Sequence, residues 1–133
     1  MTSITSARDM PEKRSDHKTA FERSPCPITN GLDIFGDKWS LVIIRDLMLG
    51  KRRYQDLISS PESIASNILA DRLRRLEVAG LVERRPYQQT PVRYEYILTE
   101  KGRDLKPVLE AIIEWGKRHY PDTVVFAPFS PAE

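Results

Sequence analysis

Nine basic side chains between residues 51 and 93 offer the most evident chemistry in this chain. They are Lys51, Arg52, Arg53, Arg72, Arg74, Arg75, Arg84, Arg85 and Arg93. The same span holds five acids, so it has a local excess of four positive charges, whereas the net charge of the whole chain is only +2. Such a cluster can bind the phosphate groups of a nucleic acid. On composition alone, a solvated basic surface explains the cluster equally well.

A second set of polar groups lies in the segment SNILADRLRRLEVAGLVERR, residues 66–85. We predict a helix over about residues 64–79, with Ala65 and three leucines on one side at 100° per residue. The opposite side carries the candidates for base contacts in a DNA groove, namely Ser66, Asn67, Ala70, Asp71 and Arg74. An amide can pair with adenine and a guanidinium with guanine, and a small side chain leaves room for a thymine methyl group. Asp71 can only accept from cytosine N4 or orient a neighbouring arginine.

The other basic residues are better suited to contact the phosphate backbone. The predicted backbone contacts are Lys38, Lys51, Arg52, Arg53, Arg75, Arg84, Arg85 and Arg93. Lys38 is expected near a helix N-terminus, where anions bind readily. Arg93 is also a candidate for the minor groove. Arg72 lies near the apolar side of its helix, and this position favours a structural ion pair over a base contact.

Glycine, proline and capping residues divide the first half of the chain into the elements that must position these groups. Pro27 suits the first position of a short helix with Cys26 at its N-cap, and Gly36 can end that helix in the left-handed conformation. Asp37 and Gly50 bracket a second helix that is apolar almost all round, so we expect it to be buried.

A short third helix is predicted in KRRYQDLISS, residues 51–60, and Ser63 is a candidate cap for the fourth. Gly80 ends the fourth helix and lets the chain turn directly into a basic hairpin.

The second half of the chain contains a hairpin and a last helix. Two strand-like runs over about residues 81–87 and 92–98 are separated by a connection of hairpin length. Thr99 is the predicted cap of the last helix. Because proline is disfavoured inside a helix, we expect Pro107 to cause a kink or a break after Lys106.

This order of elements predicts an α+β fold, mostly α, namely a winged helix-turn-helix with an additional C-terminal helix for dimerisation. The third and fourth helices would form the helix-turn-helix unit and the hairpin would be the wing. Residues 25–120 would form this domain and residues 121–133 a tail. Residues 1–24 are predicted to be a flexible arm, or else an amphipathic extension that orders only on a partner.

Several function classes are disfavoured by the residue types that the chain lacks. One cysteine excludes an internal disulfide and a Cys-based zinc cage, and the two histidines are far apart in sequence. Nucleotide-binding loops, metalloprotease motifs and nucleophile elbows are missing, so we predict no catalytic residue, no metal and no cofactor. The longest near-apolar run is too short and too charged to span a bilayer, and no signal peptide is visible. We therefore expect a cytoplasmic protein that does not act at a membrane.

Four segments together resemble the HxlR-type family of bacterial winged helix-turn-helix regulators. They are CPITNGLDIFGDKWSLVIIRDLMLGKRRYQDL, NILADRLRRLEVAGLVERRPY, PVRYEYILTEKG and LKPVLEAIIEWG. The similarity covers about residues 25–120. Tyr54 stands where such proteins often have phenylalanine. The resemblance implies a homodimer that binds double-stranded operator DNA.

The resemblance also implies a dimer interface between the first and last helices. The last helix carries more apolar surface than a small winged-helix core can hide, which supports the same conclusion. The predicted interface residues are Ile28, Leu32, Phe35, Leu109, Ile112, Ile113 and Trp115. For the tryptophan, packing is favoured over a role as a ligand platform.

Cys26 has two interpretations that the sequence leaves open. It can be a small residue packed at a helix start, or a thiol sensor whose thiolate is favoured by the helix N-terminus. In some members of the family that the chain resembles, a cysteine at this position senses oxidants or electrophiles. A small-molecule or electrophile effector is therefore among the expected partners.

We predict a transcriptional regulator that binds operator DNA through its fourth helix and its wing. The alternative is a winged-helix module for protein–protein interaction that has no role on DNA. An enzyme is the least favoured reading, because no nucleophile–base pair is visible.

Overall fold

The computed structural model describes residues 23–126. Most of the predicted arm over residues 1–24, and the part of the tail after residue 126, lie outside the described residues. The elements are α1 (Pro27–Phe35), α2 (Ser40–Met48), α3 (Tyr54–Ile58), α4 (Ser66–Val78), β1 (Val82–Gln89), β2 (Val92–Leu98), α5 (Glu100–Arg103) and α6 (Lys106–His119). Their order confirms the predicted winged helix-turn-helix, mostly helical with one two-stranded antiparallel sheet.

Helix α1 begins as predicted and ends differently. Cys26 is its N-cap and Pro27 lies in its first turn, where a missing N–H costs nothing. Gly36 has φ −81°, in the right-handed region, so the predicted left-handed end is wrong. Its N–H instead donates to the carbonyl oxygen of Leu32 at 2.8 Å and closes the last turn.

Helix α2 is the central buried helix, as expected from its composition. Trp39 is the N-cap residue, and the Asp37 carboxylate just before it accepts from the backbone N–H groups of Trp39 at 2.9 Å and Ser40 at 3.1 Å, which satisfies two donors at the start of the helix. Gly50 follows the helix end, as predicted, with φ +104°, a left-handed conformation that favours glycine.

Helices α3 and α4 form the helix-turn-helix unit. Leu57 anchors α3 and is 1% exposed. Helix α4 begins at Ser66, two residues later than predicted. Ser63 does not cap it, because Ser63 has φ +61° and belongs to the preceding turn, while Ala65 is the N-cap and is exposed. The placement of Ala65 on the buried side of the helix was therefore wrong.

The hairpin β1–β2 follows α4 without a linker. Gly80 has φ +82°, which lets the chain leave the helix and start β1, as the sequence predicts. Val82 pairs with Leu98 at the base of the hairpin, and both side chains are buried. The base of the wing is thus part of the core, and its orientation relative to α4 is fixed.

The C-terminal helix is divided in two. The Thr99 hydroxyl accepts from the N–H of Gly102 at 3.1 Å and caps α5, as predicted. The break falls at residues 104–105, before Lys106 rather than after it. Pro107 therefore lies in the first turn of α6, where a proline interrupts no helical hydrogen bond.

One hydrophobic core joins these elements. Its largest buried side chains come from α2, α3, α4 and β1, namely Ile43, Ile44, Leu57, Leu69, Leu73, Leu76 and Val82. Val125, in the predicted tail, also packs against this core. No helix within residues 23–126 is long and apolar enough to cross a membrane.

Ion pairs and hydrogen bonds of Arg45 link α2 to the turn between α3 and α4. Arg45 donates to the Glu62 carboxylate twice, from Nη1 to Oε2 at 2.7 Å and from Nη2 to Oε1 at 2.8 Å. The same guanidinium binds Asp46, which is 2% exposed, and lies 5.1 Å from the centre of the Phe126 ring. Hydrogen bonding to Arg45 lowers the pKa of Glu62 from 4.5 to about 2.

Candidate nucleic-acid interface

Helix α4 is fixed by buried leucines on one side and presents polar groups on the other. Leu69 and Leu73 are at most 2% exposed, as the helical spacing predicts. The outer side carries four exposed residues from the predicted base-contact set, namely Ser66, Asn67, Ala70 and Arg74. The phenolic O–H of Tyr54 in α3 donates to the carbonyl oxygen of Ser66 at 2.9 Å, which ties the start of α4 to the preceding helix.

Arg72 forms the structural ion pair that its position favours. Its Nε donates to Oδ2 of Asp37 at 2.9 Å, so the start of α2 is linked to the middle of α4. Partial burial alone would raise the pKa of Asp37. Hydrogen bonds from Ser40 and Arg72, and from the backbone N–H of Trp39, outweigh burial and lower the pKa to about 2. Asp37 is therefore charged at neutral pH.

Asp71 is the partner of three arginines on its own helix. Its Oδ2 accepts a hydrogen bond from Arg72 at 2.6 Å and forms an ion pair with Arg75 at 3.0 Å, and its Oδ1 accepts from Arg74 at 3.1 Å. Both carboxylate oxygens are thus engaged within the protein. Of the two roles considered for Asp71, the geometry favours orienting arginines over accepting from a cytosine.

The basic segment before α3 is extended, so Lys51, Arg52 and Arg53 precede the helix rather than start it. The carbonyl oxygen of Arg52 accepts from the N–H of Tyr96 at 2.7 Å, and Arg53 forms a bridge with Glu95 of β2. The segment therefore extends the wing sheet on the β2 side. Lys51 is partly buried and lies 3.9 Å from the Asp46 carboxylate, which reduces its availability for phosphate.

Two arginines, one before α3 and one in β1, lie over tyrosine rings of the wing. The guanidinium of Arg53 is 3.8 Å from the centre of the Tyr87 ring, and that of Arg84 is 4.3 Å from the centre of the Tyr94 ring. Stacking on a ring holds the guanidinium in place and leaves its N–H edge available for a phosphate oxygen.

The remaining wing arginines are exposed. Arg84 also approaches the Glu77 carboxylate of α4 at 3.9 Å, so the wing contacts the C-terminal half of that helix. Arg85 lies on the face of β1 opposite to that of Arg84 and pairs there with Glu83 at 3.2 Å. Arg93 lies near the tip of the hairpin and has no ion-pair partner within residues 23–126.

Residues 34–124 match the sequence profile of the HxlR-like helix-turn-helix family. The chain belongs to the HxlR-like helix-turn-helix family. It is a DNA-binding transcription regulator, the class to which its named relatives belong.

Three similar proteins illustrate the relationship of this HxlR-like regulator to known chains. The HTH-type transcriptional regulator sll1512 of Synechocystis is 38% identical over 91 residues, which cover 68% of this chain and 67% of sll1512. The crystal structure of the transcription factor PA1607 has a TM-score of 0.71 at 38% identity, covering 81% of this chain and 76% of PA1607. The redox regulator HypR, in its reduced form, has a TM-score of 0.65 at 36% identity, covering 71% of this chain and 93% of HypR.

The two helices predicted to form a dimer interface in this HxlR-like regulator present apolar side chains to solvent. Ile28 and Leu32 of α1, and Ile112 and Trp115 of α6, are each about half exposed or more. Phe35 and Ile113 are only partly exposed, because they pack against the core of their own chain. Leu109 is 8% exposed and lies inside that core. The structure therefore contradicts the placement of Leu109 at an interface.

Cys26 is half-buried at the N-terminus of α1. The backbone N–H groups of Thr29 and then Ile28 lower the pKa of the Cys26 thiol, and partial burial opposes them only in part. This environment favours the thiolate that a sensor needs. Lys38, by contrast, lies 5.6 Å from the centre of the Trp39 ring and is exposed beside the start of α2.

The sequence did not indicate the two wing tyrosines that lie under Arg53 and Arg84. Tyr94 and Arg84 face one side of the hairpin once the register is known, but the contact of Tyr87 with Arg53 joins two elements and has no signal in the spacing of the residues. Asp37 was predicted only as a helix cap, and its second role as the partner of Arg72 depends on a contact between residues 35 positions apart.

Proposed function

We propose that this regulator binds operator DNA as a homodimer, with α4 in the major groove and the wing along the phosphate backbone. The observation that carries the proposal is the fixed outer face of α4. Buried leucines seat the helix, and Ser66, Asn67 and Ala70 stand exposed on its outer side. A helix presented in this way fits the major groove, which is wide enough to admit it.

The arginines around α4 support a role for the wing and for the segment before α3 in contacting phosphate. Arg53 and Arg84 are held on tyrosine rings, and Arg85 and Arg93 are exposed on the hairpin. Contacts of this kind fix the register of a protein on the duplex and carry little sequence information. We therefore assign base reading to α4 and most of the affinity to these arginines.

The exposed apolar faces of α1 and α6 support dimerisation. Ile28 and Leu32 form a stripe on α1, and Val108, Ile112 and Trp115 form one on α6. Pairing these faces across a two-fold axis would remove both from water. Two α4 helices would then face half-sites roughly 34–36 Å apart.

Cys26 supports regulation by a small effector. Its sulfur lies at the N-terminus of α1, one of the two helices that carry the exposed apolar faces. Oxidation or alkylation there would change the spacing of the two α4 helices. Because the chain has one cysteine, the oxidised product would be a disulfide between subunits, a mixed disulfide with a small thiol, or a sulfenic acid.

The test of DNA binding is fluorescence anisotropy with a mixed-sequence duplex at about 50 mM and about 200 mM salt. With six to ten phosphate contacts per dimer, affinity is expected to fall by about 10³ to 10⁵ between these conditions. A protein–protein module without a role on DNA predicts no salt-dependent binding. Folded protein that does not bind the duplex at the lower salt concentration contradicts the proposal.

A further inference from the structure

The three arginines bound to Asp71 have different exposures. The Arg72 side chain is 17% exposed, whereas those of Arg74 and Arg75 are 68% and 64% exposed. One carboxylate therefore connects a fixed guanidinium to two that reach into solvent on or beside the outer face of α4.

Arg72 is fixed because the start of α2 holds it. Asp37 accepts from Arg72, from the hydroxyl of Ser40 at 2.5 Å and from two backbone N–H groups. A continuous series of hydrogen bonds therefore runs from the N-terminus of α2 to Arg74, and an ion pair with Asp71 adds Arg75 to it. Long side chains on a helix surface otherwise sample many rotamers, and ordering them on binding costs entropy.

An acid on this face has a cost for DNA binding. Asp71 repels phosphate and cancels part of the charge of the arginines around it. Neutral asparagine at the same position would leave a more positive surface. The acid is therefore explained better by what it does to the arginines than by its own attraction to DNA.

We propose that Asp71 is a positioning residue that determines sequence specificity. It holds Arg74, a predicted base contact, and Arg75, a predicted phosphate contact, in the orientation in which they meet the operator, so the geometry of both contacts is set before DNA arrives. Arg72 and Asp37 keep the Asp71 carboxylate in place. The inference rests on the proposed function, because it assumes that α4 reads the major groove.

Asp71→Asn is the test and Glu77→Gln is its matched control. Both substitutions remove one negative charge per protomer from α4, but Glu77 pairs with Arg84 of the wing and is not a partner of Arg74 or Arg75. A preferred duplex is first selected from a randomised pool with the wild-type protein. Affinity is then measured by anisotropy for that duplex and for a scrambled duplex, and the ratio of the two is the specificity.

Both variants are expected to bind the scrambled duplex a few-fold more tightly than the wild type, because each removes a repelling charge. Asp71→Asn should also lower the specificity by about tenfold, whereas Glu77→Gln should leave it within about twofold. Equal specificity of Asp71→Asn and the wild type overturns the proposal. An equal fall in both variants also overturns it, since charge alone would then be the cause.

A second substitution covers the case in which Asp71→Asn does not fold, as judged by thermal unfolding. Asp71→Glu keeps the charge and moves the carboxylate by one methylene group. The proposal expects lower specificity with no gain in affinity for the scrambled duplex. Unchanged specificity in Asp71→Glu overturns it. A wild-type protein that shows no salt-dependent DNA binding refutes the proposed function instead, and this is measured before any variant.

Discussion

Replacing Glu62 by glutamine is expected to destabilise the protein at neutral pH and to have a smaller effect in acid. The substitution keeps the shape of the side chain but removes the charge that Arg45 contacts through two hydrogen bonds of 2.7 and 2.8 Å. Because the Arg45 side chain is only 16% exposed, water cannot fully replace the charged hydrogen bonds that its guanidinium makes to Glu62, and stability is lost.

The magnitude follows from the pKa of the Glu62 carboxyl. Lowering that pKa from 4.5 to about 2 corresponds to at most about 3.4 kcal/mol of stability. Because the Glu62 side chain is 39% exposed, solvent screening reduces this figure, and we expect about 1–2 kcal/mol. The folded-state pKa is the lower one, so the contribution is complete above about pH 4.5 and is lost as pH falls towards 2. At pH 3 about two-fifths of it should remain.

The measurement is urea unfolding of the wild type and of Glu62→Gln at pH 7 and pH 3, at one protein concentration. Glu110→Gln is the control, because Glu110 makes an exposed contact of 4.0 Å with Lys106 and should contribute less than about 0.5 kcal/mol. Equal destabilisation by the two substitutions at pH 7, or a Glu62→Gln deficit that does not shrink at pH 3, refutes the reasoning.

The other predictions concern the function directly. Arg53→Ala and Arg85→Ala should each weaken binding to all duplexes and lower the slope of log affinity against log salt by about one unit, as read from a salt titration. Asn67→Ala should relax base preference at one position per half-site at a cost of roughly 1–3 kcal/mol, and an unchanged preferred sequence would show that the face of α4 is wrongly assigned. Trp115→Arg should convert a dimer into a monomer in sedimentation at micromolar concentration, and a wild-type monomer under those conditions argues against the dimer. Diamide or a quinone should reduce the DNA affinity of the wild type but not of Cys26→Ser, and equal responses would make Cys26 a packing residue.

The fold could be predicted because local signals and the hydrophobic pattern agree along most of the chain. The spacing of the α4 leucines, the left-handed glycines at residues 50 and 80, and the cap at Thr99 all occur where the sequence places them. The errors at Gly36 and Ser63 concern how a turn is closed. Several backbone conformations can close a short turn, and tertiary contacts select among them.

The site was predicted less completely because its residues are defined by contacts across the fold. An apolar stripe on the last helix cannot show which of its members face the chain's own core, so Leu109 was assigned to an interface although it is buried. An arginine partner was one of two roles predicted for Asp71, but which arginines it binds depends on side-chain rotamers. The pairing of Arg72 with Asp37 depends on how α2 crosses α4.

The positions of α4 differ in how strongly the rest of the fold constrains them, and this difference has a consequence for the evolution of related regulators. Within residues 23–126, the side chains of Ser66, Asn67 and Ala70 make no hydrogen bond or ion pair with the rest of the chain. If α4 reads the operator as proposed, substitutions at these three positions change the recognised sequence while they break no hydrogen bond or ion pair of the fold. Asp71 and Arg72 lack that freedom, since any change there disturbs both α2 and the neighbouring arginines. Divergence among paralogous regulators of this architecture should thus concentrate in the first turn and a half of the helix.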